Sequence, residues 1–145
     1  MDQLLPGFDT ALNIHPMFVH FPIVLWPTAL LFWIVGWLRS REDLFKFGRW
    51  LLYLGFFSSL ITVGTGLWAV EQMGHDAPGH DLVHLHRNWM IAATVMGSIT
   101  AGLAFLTRKK IPLFSPLVLI FLLSITNIVA VFGADRGALL VIVME

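Results

Sequence analysis

Six histidines are the residues of this sequence with the widest range of chemistry, and they fall into two clusters. Two lie in the stretch HPMFVHFPIVLW and four in the stretch EQMGHDAPGHDLVHLHRNW. They are His15, His20, His75, His80, His84 and His86. Imidazole binds metal ions and transfers protons near neutral pH. The chain has no cysteine, which excludes disulfides, thiolate-bound clusters and covalent haem attachment, so histidine is the main soft ligand and methionine the second.

The spacing of the first pair separates the roles of His15 and His20. Five residues on a regular helix give about 7.5 Å of rise and ~140° of rotation, so the two side chains cannot bind one ion. We expect them to serve two sites, or one site and one structural role.

The second cluster contains a candidate clip for a divalent metal ion. His80 and His84 are four residues apart and share a face if their helix begins early, and Asp76 and Asp81 are close in sequence. Imidazole and carboxylate ligands at this spacing suit zinc or copper. His86 points to the opposite side of such a helix from His84 and heads an apolar stretch.

The elements that carry these histidines are predicted to span a membrane. Of the 145 residues, 57% are hydrophobic and 12% are charged, against roughly 25% charged residues in soluble domains. Four apolar stretches are long enough to cross a bilayer, at residues 17–38, 49–70, 86–106 and 113–133. The sequence therefore predicts one all-α domain over residues 1–145, a four-transmembrane-helix bundle with a short apolar tail at residues 134–145.

Basic connectors predict the orientation of these helices. The connector RSREDLFKFGR holds four basic residues and the connector TRKKIP holds three. Because cytoplasmic loops carry an excess of lysine and arginine, we expect both connectors in the cytoplasm. Both termini and all six histidines then lie on the non-cytoplasmic side. The net charge of zero gives no indication of a nucleic-acid partner.

Prolines beside the first histidines predict a kinked helix. Pro16 suits the first turn of a helix, whereas Pro22 and Pro27 each remove a backbone hydrogen bond inside it. The carbonyl groups left near Phe18 are tolerated only where the backbone faces protein, water or a cofactor. We therefore expect this end of helix 1 to be built around another group.

A b-type haem is the cofactor that this set of residues suits best. It needs two axial imidazoles from different helices at similar depth, small residues beside the macrocycle and basic groups for its propionates. His20, about one turn inside helix 1, and His86, at the head of helix 3, form the predicted axial pair. His15 and His84 are candidates for a second haem or for hydrogen bonds to the propionates.

Four further residues complete the predicted cofactor site. Gly66 lies near the outer end of helix 2, at the level where a flat cofactor needs room. Arg87 and Arg136 are available to pair with the propionates. Asn127 is an amide inside helix 4, and a buried amide of this kind is a suitable partner for the second nitrogen of a ligand histidine.

The opening motif also carries a family resemblance. HPMFVHFPIVLW resembles the signature HP-x-x-VHFPIA of a large bacterial family of four-helix membrane proteins of unknown function, and HRNWMIAA and GADRGALL are weaker matches. The resemblance implies a haem-binding or redox-associated module of the bacterial inner membrane. Many members have a histidine in the last segment, where this chain reads Asp135-Arg136-Gly137.

The leading hypothesis is a small, non-enzymatic membrane cytochrome that holds one or two b-type haems near its outer surface. It would pass electrons between a quinol or a periplasmic cytochrome and a larger redox complex. One alternative is a structural subunit of a respiratory or photosynthetic complex without a cofactor. Another is a zinc or copper site in the loop from His75 to His86.

The C-terminal segment predicts a protein contact. The run LLVIV after Gly137 is apolar and rich in β-branched residues, so it would be an aggregation hazard if left in water. We expect residues 138–144 to contact another subunit or a second copy of this chain.

Overall fold

Four long helices make up the part of the chain that the computed structural model describes, residues 14–72, 79–109 and 116–144. They are α1 (His15–Leu38), α2 (Glu42–Gln72), α3 (His80–Leu106) and α4 (Pro116–Met144), and a short 3-10 turn covers Thr107–Lys109. Each helix is long and apolar enough to cross a membrane, and this part of the chain contains no strand. The predicted all-α, four-transmembrane-helix fold is confirmed.

The helices begin earlier than predicted where their first turns are polar. α2 begins at Glu42 rather than at residue 49, and α3 begins at His80 rather than at residue 86. Both first turns carry acidic side chains, which the positive end of the helix dipole stabilises. The apolar stretches mark the membrane-spanning part of each helix, and the polar turns extend beyond it.

α4 continues through the segment that the sequence predicts as a tail. The helix ends at Met144, so the described part of residues 134–145 is helical. Gly137 lies within the helix, and the His86 side chain of α3 packs against it. Near the end of α4, Ile142 is 70% exposed.

The helices form two hairpins that pack side by side. α1 packs mainly on α2, and α3 packs mainly on α4. Smaller contacts between α2 and α3 and between α1 and α4 join the hairpins. In this arrangement α1 faces α3, and α2 faces α4, across the interior of the bundle.

Buried residues recur on each helix at alternating intervals of three and four, the pattern of helices packed with knobs in holes. On α1 they are Pro22, Trp26, Ala29, Trp33 and Gly36. On α2 they are Gly48, Leu52, Gly55, Ser59 and Thr62. The same intervals place Ala93, Gly97, Thr100 and Ala104 on α3 and Leu119, Leu123 and Thr126 on α4, where the next buried residue is Gly133, seven residues further along. We call these four rows the buried stripes.

Two tryptophans of α1 fill the middle of the bundle. Trp26 and Trp33 are almost fully buried. A Cβ atom at Gly55 of α2 would lie 2.5 Å from Trp26, one at Gly97 of α3 would lie 2.6 Å from it, and one at Gly48 would lie 2.6 Å from Trp33. Glycine is therefore required at these three positions for the indole rings to fit.

A backbone carbonyl of α1 near Pro22 is bonded to α2. Pro22 cannot donate to the Phe18 carbonyl, and the Thr62 hydroxyl of α2 lies 3.0 Å from that oxygen and donates to it. The carbonyl near Phe18 thus faces protein, as expected from the proline spacing.

Candidate functional site

The buried stripes end, at one end of the bundle, in two histidines and two glycines. His15 lies seven residues before Pro22, and His86 lies seven residues before Ala93. On the other two helices, Gly66 and Gly137 each lie four residues beyond the last buried position of the stripe. We call His15, Gly66, His86 and Gly137 the histidine layer, because contacts between their atoms join all four helices at this level.

The two imidazole rings of the histidine layer meet across the interior. His15 of α1 and His86 of α3 have ring centroids 6.3 Å apart, with an angle of 77° between the ring planes. Both side chains are half-buried. Since α1 and α3 face each other across the bundle, the two rings enter the same space from opposite sides.

Each imidazole ring rests on a glycine of the neighbouring helix in its own hairpin. A Cβ atom at Gly66 would lie 2.9 Å from His15 Cε1, and one at Gly137 would lie 2.9 Å from His86 Cε1. The interval from histidine to glycine is 51 residues in both hairpins (66 − 15 and 137 − 86). The two hairpins therefore repeat the same contact, although no repeat is evident from the sequence as a whole.

Hydrogen bonds hold both rings through Nδ1. His86 Nδ1 lies 2.7 Å from the Gly133 carbonyl oxygen, so it donates and carries the proton. His15 Nδ1 lies 3.2 Å from the hydroxyl oxygen of Thr65. In His86 the lone pair is therefore on Nε2, the arrangement found in histidines that bind a metal through Nε2.

His20 lies on a different face of α1. It is exposed and lines a shallow surface cavity of about 280 Å³ with Phe21, Val24 and Leu25. Because His20 is two residues before Pro22, it falls outside the buried stripe. The structure brings His15, not His20, to His86.

His80 and His84 share one face of α3, as their spacing predicts. Their Nε2 atoms are 2.9 Å apart and their ring centroids 4.4 Å apart. In residues 14–72, 79–109 and 116–144, no three histidine or acidic side chains converge as they would around a metal ion. His75 and Asp76 lie outside these residues.

The arginines named from the sequence are at the same end of the bundle. Arg87 follows His86 directly and Arg136 precedes Gly137, and both side chains are half-buried. Arg136 Nε lies 3.8 Å from the carboxylate of its neighbour Asp135. Both positions remain available to a negatively charged group beside the histidine layer.

Asn127 does not contact the histidines. Its Nδ2 donates to the Leu123 carbonyl at 2.8 Å, and the residue lines a groove of about 440 Å³ between α1 and α4. Six residues of helix, roughly 9 Å, separate it from Gly133, whose carbonyl is the partner of His86. The second-nitrogen partners of the two histidines are instead Gly133 and Thr65.

Sequence reasoning missed Gly137, Gly133 and Thr65 as parts of this site. The prediction took the depth of each histidine from its position along the helix and did not consider which face of the helix carries it. Two intervals in the sequence would have found them. The spacing of the buried stripe on α1, continued towards the N-terminus, reaches His15 and not His20. The interval from His15 to Gly66 also equals the interval from His86 to Gly137.

Residues 11–145 match the family described as "Predicted membrane protein (DUF2231)". The match covers nearly the whole chain, so the protein belongs to this family, and the membrane family indicated by the opening motif is confirmed. No curated protein and no solved structure matches the chain.

Proposed function

We propose that this member of the DUF2231 family binds a b-type haem between His15 and His86 and acts as an electron-transfer subunit in the membrane. The observation that carries the proposal is the histidine layer, where two imidazoles from opposite helices face one space and each rests on a glycine. Haem bound there would supply reversible one-electron transfer.

The spacing of the rings supports a shared metal. Two imidazoles that bind one metal ion at metal–nitrogen distances of about 2 Å have ring centres roughly 6 Å apart. The observed centroid distance of 6.3 Å agrees with this value. His86 also presents Nε2 as its lone-pair nitrogen, because its Nδ1 donates to the Gly133 carbonyl, and His15 is held through Nδ1 beside the Thr65 hydroxyl.

The glycines allow each ring to lie directly against the neighbouring helix, because a Cβ atom at Gly66 or Gly137 would collide with the imidazole there. The basic residues nearby favour haem over a lone ion, because haem carries propionates. Arg87 and Arg136 would pair with the propionates, and Thr65 and Gly133 would hold the ligand rings in position.

We also propose that the histidine layer lies on the non-cytoplasmic side of the bacterial inner membrane. The two connectors at the opposite end hold seven basic residues, whereas this end holds Arg87 and Arg136. This excess of basic residues supports the orientation, because cytoplasmic loops are rich in lysine and arginine. A quinol or a periplasmic cytochrome would then reach the haem. Reporter fusions at positions 45 and 78 should report opposite sides of the membrane; the same side for both would contradict the orientation.

Partner contacts belong to the same proposal. Near the end of α4, Ile142 is largely exposed. A larger redox complex or a second copy of the chain would cover it. Removing residues 138–145 should weaken assembly and leave any haem spectrum unchanged; loss of the fold would instead show that the segment stabilises this bundle.

The test of haem binding is the cofactor content of the wild-type protein. Protein expressed with adequate haem supply and purified in mild detergent should be red and give a b-type pyridine haemochrome, with haem and chain in equal amounts. Colourless protein that co-purifies with a complex would favour the structural alternative.

A second candidate function is divalent metal binding by His80 and His84. The observation that favours it is the 2.9 Å between their Nε2 atoms, since two imidazole nitrogens on one zinc ion lie roughly 3.3 Å apart. Metal analysis should then find zinc or copper in the wild-type protein and in His20→Gln, but not in His84→Gln. Equal metal content in all three would exclude this pair as ligands.

A further inference from the structure

The end of the bundle opposite the histidine layer holds a separate group of polar side chains. Arg49 and Tyr53 lie one turn apart on α2, and Arg108 lies in the turn that follows α3. Residues four apart on a helix share a face. The three side chains therefore gather where α2 begins and α3 ends.

Two atoms of this group are buried without a hydrogen-bond partner. They are Arg49 Nε and Tyr53 Oη, and no described residue of the chain donates to or accepts from either. A buried polar group left unpaired is unfavourable, so each such group in a folded protein calls for a partner from elsewhere. Both atoms carry a hydrogen and can donate a hydrogen bond, so each needs an acceptor.

The electrostatics of the group favour an anion. Arg49 and Arg108 both lie close enough to the Tyr53 hydroxyl to interact with it electrostatically. Arg108 is held with its guanidinium carbon 3.7 Å from the centre of the Phe105 ring. The carboxylate of Asp43, at the start of α2, is paired with Arg41 instead, at 2.6 Å.

We propose that Arg49, Tyr53 and Arg108 bind the phosphodiester headgroup of an anionic phospholipid. Guanidinium groups bind phosphate oxygens through paired, charge-assisted hydrogen bonds, and the phenol adds a further donor. Basic pockets between transmembrane helices are established sites for such headgroups. This site does not depend on haem binding.

The surroundings identify a lipid rather than a phosphate ion in water. α2 has 31 residues, more than the roughly 20 that cross the bilayer core, so its ends reach the headgroup region. Trp50, next to Arg49, is 68% exposed, as is typical of aromatic residues at the membrane interface. Leu54 and Leu106 are exposed beside the site and offer apolar surface to acyl chains.

The test is lipid binding by the full-length protein in detergent, measured by native mass spectrometry as phosphatidylglycerol is added. Arg49→Gln should bind at least about tenfold more weakly than the wild type, because a charge-assisted hydrogen bond is lost. Tyr53→Phe should weaken binding less, and it should fold normally because the hydroxyl has no partner among the described residues. Phosphatidylcholine should not compete.

Arg39→Gln is the matched control, since it removes an exposed positive charge from the same end of the bundle. It should change the affinity by no more than about twofold. If Arg39→Gln and Arg49→Gln lose the same amount of lipid affinity, the lipid is held by diffuse charge attraction and the proposed site is wrong. If inorganic phosphate raises the midpoint of thermal unfolding and phosphatidylglycerol does not, the ligand is a phosphate ion and the lipid assignment is wrong. If Arg49→Gln does not fold, unchanged lipid binding in Tyr53→Phe and Arg108→Gln would overturn it equally.

Discussion

The middle of the bundle and its histidine layer use the same contact for different rings. In the middle, the indole of Trp26 rests on Gly55 and Gly97. At the histidine layer, the imidazoles of His15 and His86 each rest on one glycine. In both regions the ring extends from the buried side of its helix, and another helix provides glycine where a Cβ would collide.

The two regions differ in what the rings can do. An indole between two glycines fills the interior, and its main contribution is buried apolar area. Two imidazoles that enter one space from opposite helices bring two lone pairs to that space. Ordinary helix packing is therefore sufficient to bring two imidazole rings together across the bundle.

The largest effect should come from removing a ligand of the histidine layer. His86→Ala should abolish haem binding, because haem would retain only one axial imidazole and Gly133 would lose its partner. Haem per chain, measured after purification, checks this. His84→Ala, on the other face of α3, should retain the haem; loss of haem from both variants alike would contradict the distinction between the two faces.

Removing a ring from the middle should affect stability instead. Trp26→Ala should lower the free energy of unfolding by about 3–5 kcal/mol, the usual cost of truncating a fully buried large side chain. Trp37→Ala, at a site 47% exposed, should change it by less than about 0.5 kcal/mol. Denaturant-induced unfolding in detergent measures both. A small effect at Trp26 would show that the middle layer is not the main packing contact.

A smaller effect should follow from adding one methyl group beside a ligand ring. Gly66→Ala places a Cβ 2.9 Å from His15 and should weaken haem binding by about tenfold, since displacing a ring from its rotamer costs on the order of 1 kcal/mol. Gly64→Ala on the same helix is the control, because a Cβ there meets nothing within 4 Å. Haem titration of the apo-proteins compares them, and equal affinities would argue against a close-packed cofactor.

The sequence was sufficient to predict the four helices and the shared face of His80 and His84, because apolar length and helical spacing are local properties. It also predicted that the carbonyl near Phe18 needs a partner, which Thr62 provides. Which histidine of α1 meets His86 could not be predicted in the same way. His20 lies deeper in the helix than His15, but which residue faces inward depends on how α1 packs against its neighbours.

The same limit applies to α4. Asp135, Arg136 and Gly137 suggest the end of a helix, yet the helix continues to Met144, and His86 rests on Gly137. Asn127, chosen as an isolated amide in an apolar helix, bonds within its own helix. Predictions that depend on contacts between distant parts of the chain required the packed structure.

The most direct test of this account is the haem content of His15→Ala and His20→Ala, expressed and purified side by side with the wild type. We predict that His15→Ala contains no bis-imidazole haem and that His20→Ala contains as much haem as the wild type, because His15 lies in the buried stripe against His86. Full haem occupancy in His15→Ala, with loss of haem in His20→Ala, would contradict the assignment of the histidine layer as the haem site.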